Sequence, residues 1–368
     1  MTATRSKRPA MPFVGGKAEP VVITGGSGFI GCNLAESFLR DGEDVVVLDN
    51  LSRPGVRENL EWLKGDFGDR VHPAVADVRD LEGIRPVFER AKAVFHLAGQ
   101  TAVTTSLEQP VDDFEVNARG TLNVLEAVRA CGRRTPVIFA STNKVYGALE
   151  DLEMIELEDR YIPASMEVRQ NGIGEDRRLD FCTPYGCSKG VADQYVLDYA
   201  KSFGIPTAVL RMSCIYGPHQ FGTEDQGWVA HFLIRALKGE PISIYGNGKQ
   251  VRDVLHVADA VAAYRAVLAG IERVSGRTFN LGGGVHNAVS LRLVLQEIRR
   301  VTGTDPVIGW GDWRPGDQYY FVADTARLQR ELGWAAGIGW RDGLKNLADW
   351  FRAARGLGRP PQQERLTA

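Results

Sequence analysis

The stretch that decides the fold reads Val21–Val22–Ile23–Thr24–Gly25–Gly26–Ser27–Gly28–Phe29–Ile30–Gly31 and runs on to Val45–Val46–Val47–Leu48–Asp49. Val21, Val22 and Ile23 form a short β-branched run, and Leu34, Ala35, Phe38 and Leu39 recur at helical spacing after the glycines. The order is strand, glycine turn, helix, strand, acidic residue. In that context a spaced glycine series predicts a dinucleotide site. Lacking a Cβ, the turn lets backbone amides approach a pyrophosphate, and the helix N-terminus that follows favours its charge. Gly25, Gly28, Phe29, Ile30 and Gly31 are the candidates on the phosphate side. Asp49 lies eighteen residues past Gly31 and can accept hydrogen bonds from the adenine-ribose hydroxyls. A carboxylate there would repel a 2′-phosphate, which favours NAD over NADP; nearby Arg53 keeps the second cofactor open.

Outward from this unit the alternation continues. Val71 to Val75 reads as a third strand, followed by Asp77 and Val78. Ala93 to Leu97 reads as a fourth, ending at Ala98–Gly99–Gln100, and Pro136 to Ala140 as a fifth, ending at Ser141–Thr142. Asn117 opens a helical pattern between them. Such alternation implies an α/β chain with a Rossmann-type, mostly parallel sheet and helices on both faces. Ligand-binding residues then belong beyond the strands' C-terminal ends. Asn50, Asp77, Val78, Leu97, Ala98, Gly99 and Asn117 are therefore further cofactor candidates. His96, inside an apolar strand, reads as packed.

The chain has 368 residues, with 44 Lys and Arg against 46 Asp and Glu. That length suits two associated lobes, and the charge balance lacks the basic excess of a nucleic-acid binder. The five cysteines contain no close CxxC pair and are odd in number, which favours reduced thiols and a cytoplasmic protein. No apolar run has the length of a secretion signal's core or a membrane span. The histidines are scattered without metal-ligand spacing, so no metal is expected.

Tyr185–Gly186–Cys187–Ser188–Lys189 begins another helical pattern. Tyr185 and Lys189 are four apart and share a helix face. A tyrosine ordinarily titrates near pH ~10, and a neighbouring ammonium favours its phenolate. The pair is a feasible proton acceptor from a substrate hydroxyl, with Thr142 adding a second hydroxyl.

Together, TGGSGFIG, STNKVYG and YGCSK resemble the extended short-chain dehydrogenase/reductase superfamily across roughly residues 20–350. The resemblance implies NAD binding at Gly25, Gly28 and Gly31, and catalysis by Thr142, Tyr185 and Lys189. In that superfamily the tyrosine exchanges a proton with substrate while nicotinamide exchanges a hydride. Residues 95–110, 141–147, 180–200, 220–232 and 246–260 further resemble the CDP-paratose 2-epimerase family. This implies epimerisation of a nucleotide-diphosphate sugar through a transient keto-sugar, at C2 of a CDP-linked dideoxyhexose or a related hexose. The alternatives are a C4 epimerase of a UDP- or GDP-sugar and a non-catalytic NAD-binding regulatory protein. Retention of Tyr185, Lys189 and Thr142 disfavours the last. Relatives are homodimers or homotetramers, which is the expectation here.

Two departures matter. Nucleotide-sugar 4,6-dehydratases carry Thr-Asp-Glu before Val-Tyr-Gly, whereas this chain reads Thr142–Asn143–Lys144, which disfavours dehydration. Lys144 itself is balanced between a solvated surface residue and an active-site residue. Cys214 stands where many relatives carry a substrate-contacting asparagine, and a thiol cannot duplicate an amide's hydrogen bonds. The substrate-side candidates are Thr142, Asn143, Cys214, Trp228, Arg252 and Arg314. The two arginines match positions that bind a pyrophosphate in relatives, a task that suits a guanidinium. The expected organisation is a tail at 1–18, an NAD-binding domain at 19–213 and about 250–282, a smaller α/β substrate-binding lobe at about 214–249 and 283–355, and a tail at 356–368. The segment 148–180 is open between a substrate-side flap and a peripheral insertion.

Overall fold

Seven short runs rich in Val, Ile, Ala and Phe assemble one wholly parallel sheet. In this computed structural model, which describes residues 19–314 and 316–358, the strands are β1 (Val21–Thr24), β2 (Val45–Asp49), β3 (Val71–Val75), β4 (Ala93–His96), β5 (Val137–Thr142), β6 (Thr207–Met212) and β7 (Arg277–Leu281). The tail at 1–18, most of the tail at 356–368, and Pro315 lie outside the described residues. The sheet order is β7-β6-β5-β4-β1-β2-β3. The chain runs outward from β1 to β3, then crosses back to lay β4 beside β1. The crevice at that reversal is where an open parallel sheet binds its ligand.

Successive side chains leave a strand on opposite faces, and both faces are covered. Val21 and Ile23 pack with Val47, Phe95, Leu210 and Phe279 under the helices Phe29–Arg40 and Val257–Ala269. Val22, Val46, Val94, Phe139 and Val209 pack under the helices Gly120–Ala130 and Thr183–Phe203. Coverage on both faces explains why these strands read as continuous apolar runs rather than alternating ones. Each fully buried aliphatic side chain stabilises the layer by roughly 1.5–3 kcal/mol. His96 belongs to this scaffold. Its Nδ1 lies 2.7 Å from Thr24 Oγ1 and its Nε2 2.9 Å from Thr121 Oγ1, and burial pushes its pKa down to about 3.

The smaller lobe is built on strands Cys214–Tyr216, Val251–His256, Ala288–Ser290 and Tyr320–Phe321, with Ile242–Tyr245 paired in parallel to Ile308–Gly311. Helices Trp228–Lys238, Leu291–Thr302 and Trp340–Arg355 close its core around Tyr216, Leu233, Val294 and Leu347. The division expected near residue 250 falls just before the strand Val251–His256. Val251–His256 is hydrogen-bonded to strands of the smaller lobe, while Leu255 packs with the helix from Val257 in the core of the large sheet. We propose the crossover at His256–Val257.

The segment 148–180 folds as a small hairpin, Met154–Glu156 with Tyr161–Pro163, followed by the helix Met166–Asn171. Tyr161 Oη accepts from Asn247 Nδ2 at 2.7 Å, and Ile173 bridges to Ala323. Its contacts buttress the smaller lobe, and none of its residues lines the central cleft. The geometry is that of a peripheral support.

Candidate active site

A cleft of about 1130 Å³ opens over the C-terminal edge of the large sheet and extends between the lobes. Every candidate from the sequence lines it except Asn117 and Lys189. At its floor Gly25 takes φ +67°, and a Cβ there would stand 2.7 Å from the Ala98 amide nitrogen. A Cβ at Gly31 would stand 2.2 Å from the Gly25 carbonyl oxygen. Glycines thus let the turn lie flat between β4 and the helix Phe29–Arg40. No side chain caps that helix at Gly28, so its first amides are left for a ligand's anion. This cradle, which added Cβ atoms would fill, fits a dinucleotide pyrophosphate.

Asp49 sits at the end of β2. Its two carboxylate oxygens accept from the Ser27 amide at 3.2 Å and the Leu51 amide at 2.9 Å, and burial raises its pKa. It holds the glycine turn against the strand end while keeping lone pairs for ribose hydroxyls. Asn50 donates to Asp77 at 2.9 Å, and Arg79 holds the Asp77 carboxyl down at about 2.

Asn117 stands behind the cleft wall. Its Oδ1 accepts from the Gln100 amide at 2.9 Å, and its Nδ2 donates to Ser188 Oγ at 3.0 Å and Asp113 Oδ1 at 3.2 Å. It ties the loop after β4 to the helix that carries Tyr185 and Lys189. These contacts make Asn117 a bracket between the two. Lys189 Nζ donates to the Ala140 carbonyl at 2.6 Å and lies 4.2 Å from the centroid of the Phe139 ring.

Tyr185 lines the cleft with Thr142, and its amide donates to Ser106 Oγ at 3.2 Å. Burial pushes its phenol up to about 12; a hydrogen bond with Thr142 and the positive charge of Arg53 oppose that rise, and Asp113 adds to it. Burial likewise pushes the Lys189 ammonium down to about 7, against Asp193 and Asp113. Desolvation disfavours the charged form of each. Arg53 adds positive charge near Tyr185, and its Nη1 donates to Thr101 Oγ1 at 3.1 Å on the cleft wall.

The strand and helix that carry these groups are clamped together. Arg211 donates to both Asp193 oxygens, at 2.9 and 3.0 Å, and Ser141 Oγ donates to the same carboxylate at 2.8 Å. This buried pair fixes the end of β5, where Thr142 emerges.

On the smaller-lobe side, Trp228 Nε1 donates to Cys214 Sγ at 3.4 Å. Burial pushes the Cys214 thiol up, away from the thiolate a nucleophile needs. Asn143 Nδ2 faces Gln318 Oε1 at 3.5 Å. Arg252 pairs with Asp317 at 2.5 Å. Arg314 lies 3.9 Å over the Tyr245 ring and pairs with Glu224 at 3.5 Å and Asp225 at 3.3 Å. Asp317 and Gln318 had no local sequence signal. Tyr245 closes a strand before the turn at Gly246, a placement the pattern could have flagged.

A parallel sheet in this order, with a glycine cradle and a Tyr-x3-Lys helix over its C-terminal edge, defines a Rossmann-type dinucleotide-binding protein. The chain belongs to the NAD dependent epimerase/dehydratase family, whose model matches residues 21–282. It is 43% identical over 339 residues to the CDP-paratose 2-epimerase of Salmonella typhi, covering 90% of this chain and 98% of the relative. Among solved structures it resembles the UDP-glucose 4-epimerase of Thermus thermophilus in complex with NAD, at 33% identity and a TM-score of 0.77, covering 91% of this chain and 99% of that one. It also resembles a double mutant of the dTDP-glucose 4,6-dehydratase DesIV of Streptomyces venezuelae with NAD bound, at 26% identity and a TM-score of 0.79, covering 91% and 98%.

Proposed function

We propose that this chain is an NAD-dependent epimerase that inverts C2 of a CDP-linked dideoxyhexose or a closely related nucleotide-diphosphate hexose, through a transient keto-sugar. The observation that carries it is the 43% identity to a CDP-paratose 2-epimerase over nearly the whole of both chains, together with Thr142 and Tyr185 on one wall of the cleft. Gly25, Gly28, Phe29, Ile30 and Gly31 would hold the pyrophosphate of NAD, and Asp49 its adenine ribose. When bound, NAD supplies the hydride acceptor and donor.

Tyr185 takes the proton from the reacting sugar hydroxyl and later returns it. Thr142 hydrogen-bonds the same oxygen and steadies the phenolate. Lys189 and Arg53 supply the positive charge that a buried phenol needs before it ionises. Arg252 and Arg314 face the diphosphate, and the cleft between the lobes keeps the keto-sugar from bulk water. Asn143 and Lys144 offer no carboxyl pair, which supports epimerisation over dehydration.

The likeness to a UDP-glucose 4-epimerase supports a second reading, inversion at C4 of a UDP- or GDP-sugar. Incubation of the purified protein with a panel of nucleotide sugars, followed by NMR of the products, separates the two. Inversion at C2 is expected; inversion at C4 moves the assignment to the second reading, and net NADH formation overturns both. No helix of the described residues is long and apolar enough to cross a membrane. We place the enzyme in the cytoplasm and propose a homodimer or homotetramer. Exposed Leu107, Val111, Phe114, Tyr195 and Phe203 on neighbouring helices support self-association.

A further inference from the structure

The strand end carrying Thr142–Asn143–Lys144 and the loop carrying Arg314 and Asp317 are remote in sequence but meet at the Lys144 side chain. Lys144 Nζ donates to the Gly316 carbonyl at 3.2 Å and lies 3.9 Å from Asp317 Oδ1. That same oxygen accepts from Arg252 Nη2 at 2.5 Å. One carboxylate is thus shared by two cations. The loop is also seated on the start of the catalytic helix. A Cβ at Gly316 would fall 3.0 Å from Thr183 Cγ2 and 3.3 Å from Cys182 Sγ. Two residues on, Gln318 Nε2 donates to the Gly147 carbonyl at 2.6 Å.

We propose that Lys144 is a positioning residue: it latches this loop to the catalytic strand and draws on Asp317, so that Arg252 keeps its positive field for a nucleotide diphosphate. Charge counting shows the effect. Lys144, Arg252 and Asp317 sum to one net positive charge; without Lys144 the remaining pair is neutral, and an acidic residue in its place would make the group net negative. Arg314 cannot make good the loss, because Glu224 and Asp225 already face it. A neutral pair has little net attraction for a dianion. The inference rests on the nucleotide-diphosphate reading of the cleft and assigns that site a residue beyond the two arginines.

The test titrates CDP, and separately UDP, into the full-length protein by calorimetry, alongside steady-state kinetics on the active nucleotide sugar. Lys144→Met should weaken binding of the nucleotide diphosphate about tenfold and raise KM in step, with kcat within about threefold and NAD content unchanged. Lys144→Arg, which keeps the charge and the donor, should recover most of the affinity. If Lys144→Met does not fold, Lys144→Gln keeps a donor without the charge and must show the same weakening at an unchanged urea midpoint. Wild-type affinity in the methionine or glutamine variant, or a loss confined to kcat, overturns the latch. Wild-type protein that binds UDP but not CDP overturns the CDP assignment and leaves UDP as the probe for the latch. Binding of neither overturns both.

Discussion

Asp193→Ala should destabilise the fold by about 3–5 kcal/mol, far more than a typical surface change. The magnitude follows from the pair it breaks. Asp193 is fully buried and Arg211 is only 3% exposed. The carboxylate accepts two guanidinium hydrogen bonds, one from Ser141 and one from Gln194. Its removal leaves Arg211 with Tyr146 Oη at 3.1 Å as a neutral partner and an uncompensated charge in the core. Desolvation of that charge is the dominant cost. Replacing both partners by apolar residues, as Asp193→Ala with Arg211→Met, removes the orphaned charge and should recover about 1–3 kcal/mol. Urea unfolding followed by circular dichroism measures all three variants. The reasoning is refuted if Asp193→Ala loses less than about 1 kcal/mol, or if the double variant loses the sum of the two single changes. Because Ser141 precedes Thr142, the single variant should also lower kcat.

Tyr185→Phe should lower kcat by about 10²- to 10⁴-fold with NAD content unchanged; a wild-type rate would remove Tyr185 from the proton transfer. Gly31→Ala places a methyl 2.2 Å from the Gly25 carbonyl oxygen, so the turn must move, at a cost of about 1–3 kcal/mol. A fluorescence titration should show weakened NAD binding, and unchanged affinity would contradict the close approach. His96 contributes to the acid limb of stability. Its folded pKa of about 3 lies below the ordinary value of 6.5, so the unfolded chain takes up the proton first as pH falls. Stability is fully present above about pH 6.5 and is lost toward pH 3, with a slope of up to about 1.4 kcal/mol per pH unit. His96→Asn should flatten that limb in urea midpoints measured from pH 4 to 7, and superimposable limbs would rule His96 out as its origin.

Much of this was local and therefore legible. The glycine turn, Asp49 and the Tyr185–Lys189 spacing are encoded within single elements, and the structure sets Gly25, Asp49, Thr142 and Tyr185 around one cleft. What escaped was decided by packing between elements. Asn117 acquires its bracket role only through packing against Gln100, Ser188 and Asp113. Val251–His256 follows a turn, and no pattern within it says which sheet it joins. Lys144 remained balanced between surface and site because its partners, Gly316 and Asp317, lie more than 170 residues away.

From the sequence alone came the parallel α/β sheet, the glycine cradle and the placement of a tyrosine and a lysine on one helix face. These depend on strand and helix periodicity and on short-range sterics, which a few consecutive residues specify. Tertiary structure alone decided the charge balance of the site. Burial raises the Tyr185 phenol and lowers the Lys189 ammonium, Arg53 adds positive charge near the phenol, and Lys144 shares Asp317 with Arg252. Desolvation and Coulomb attraction depend on distance and surrounding dielectric, and neither exists until the chain has folded.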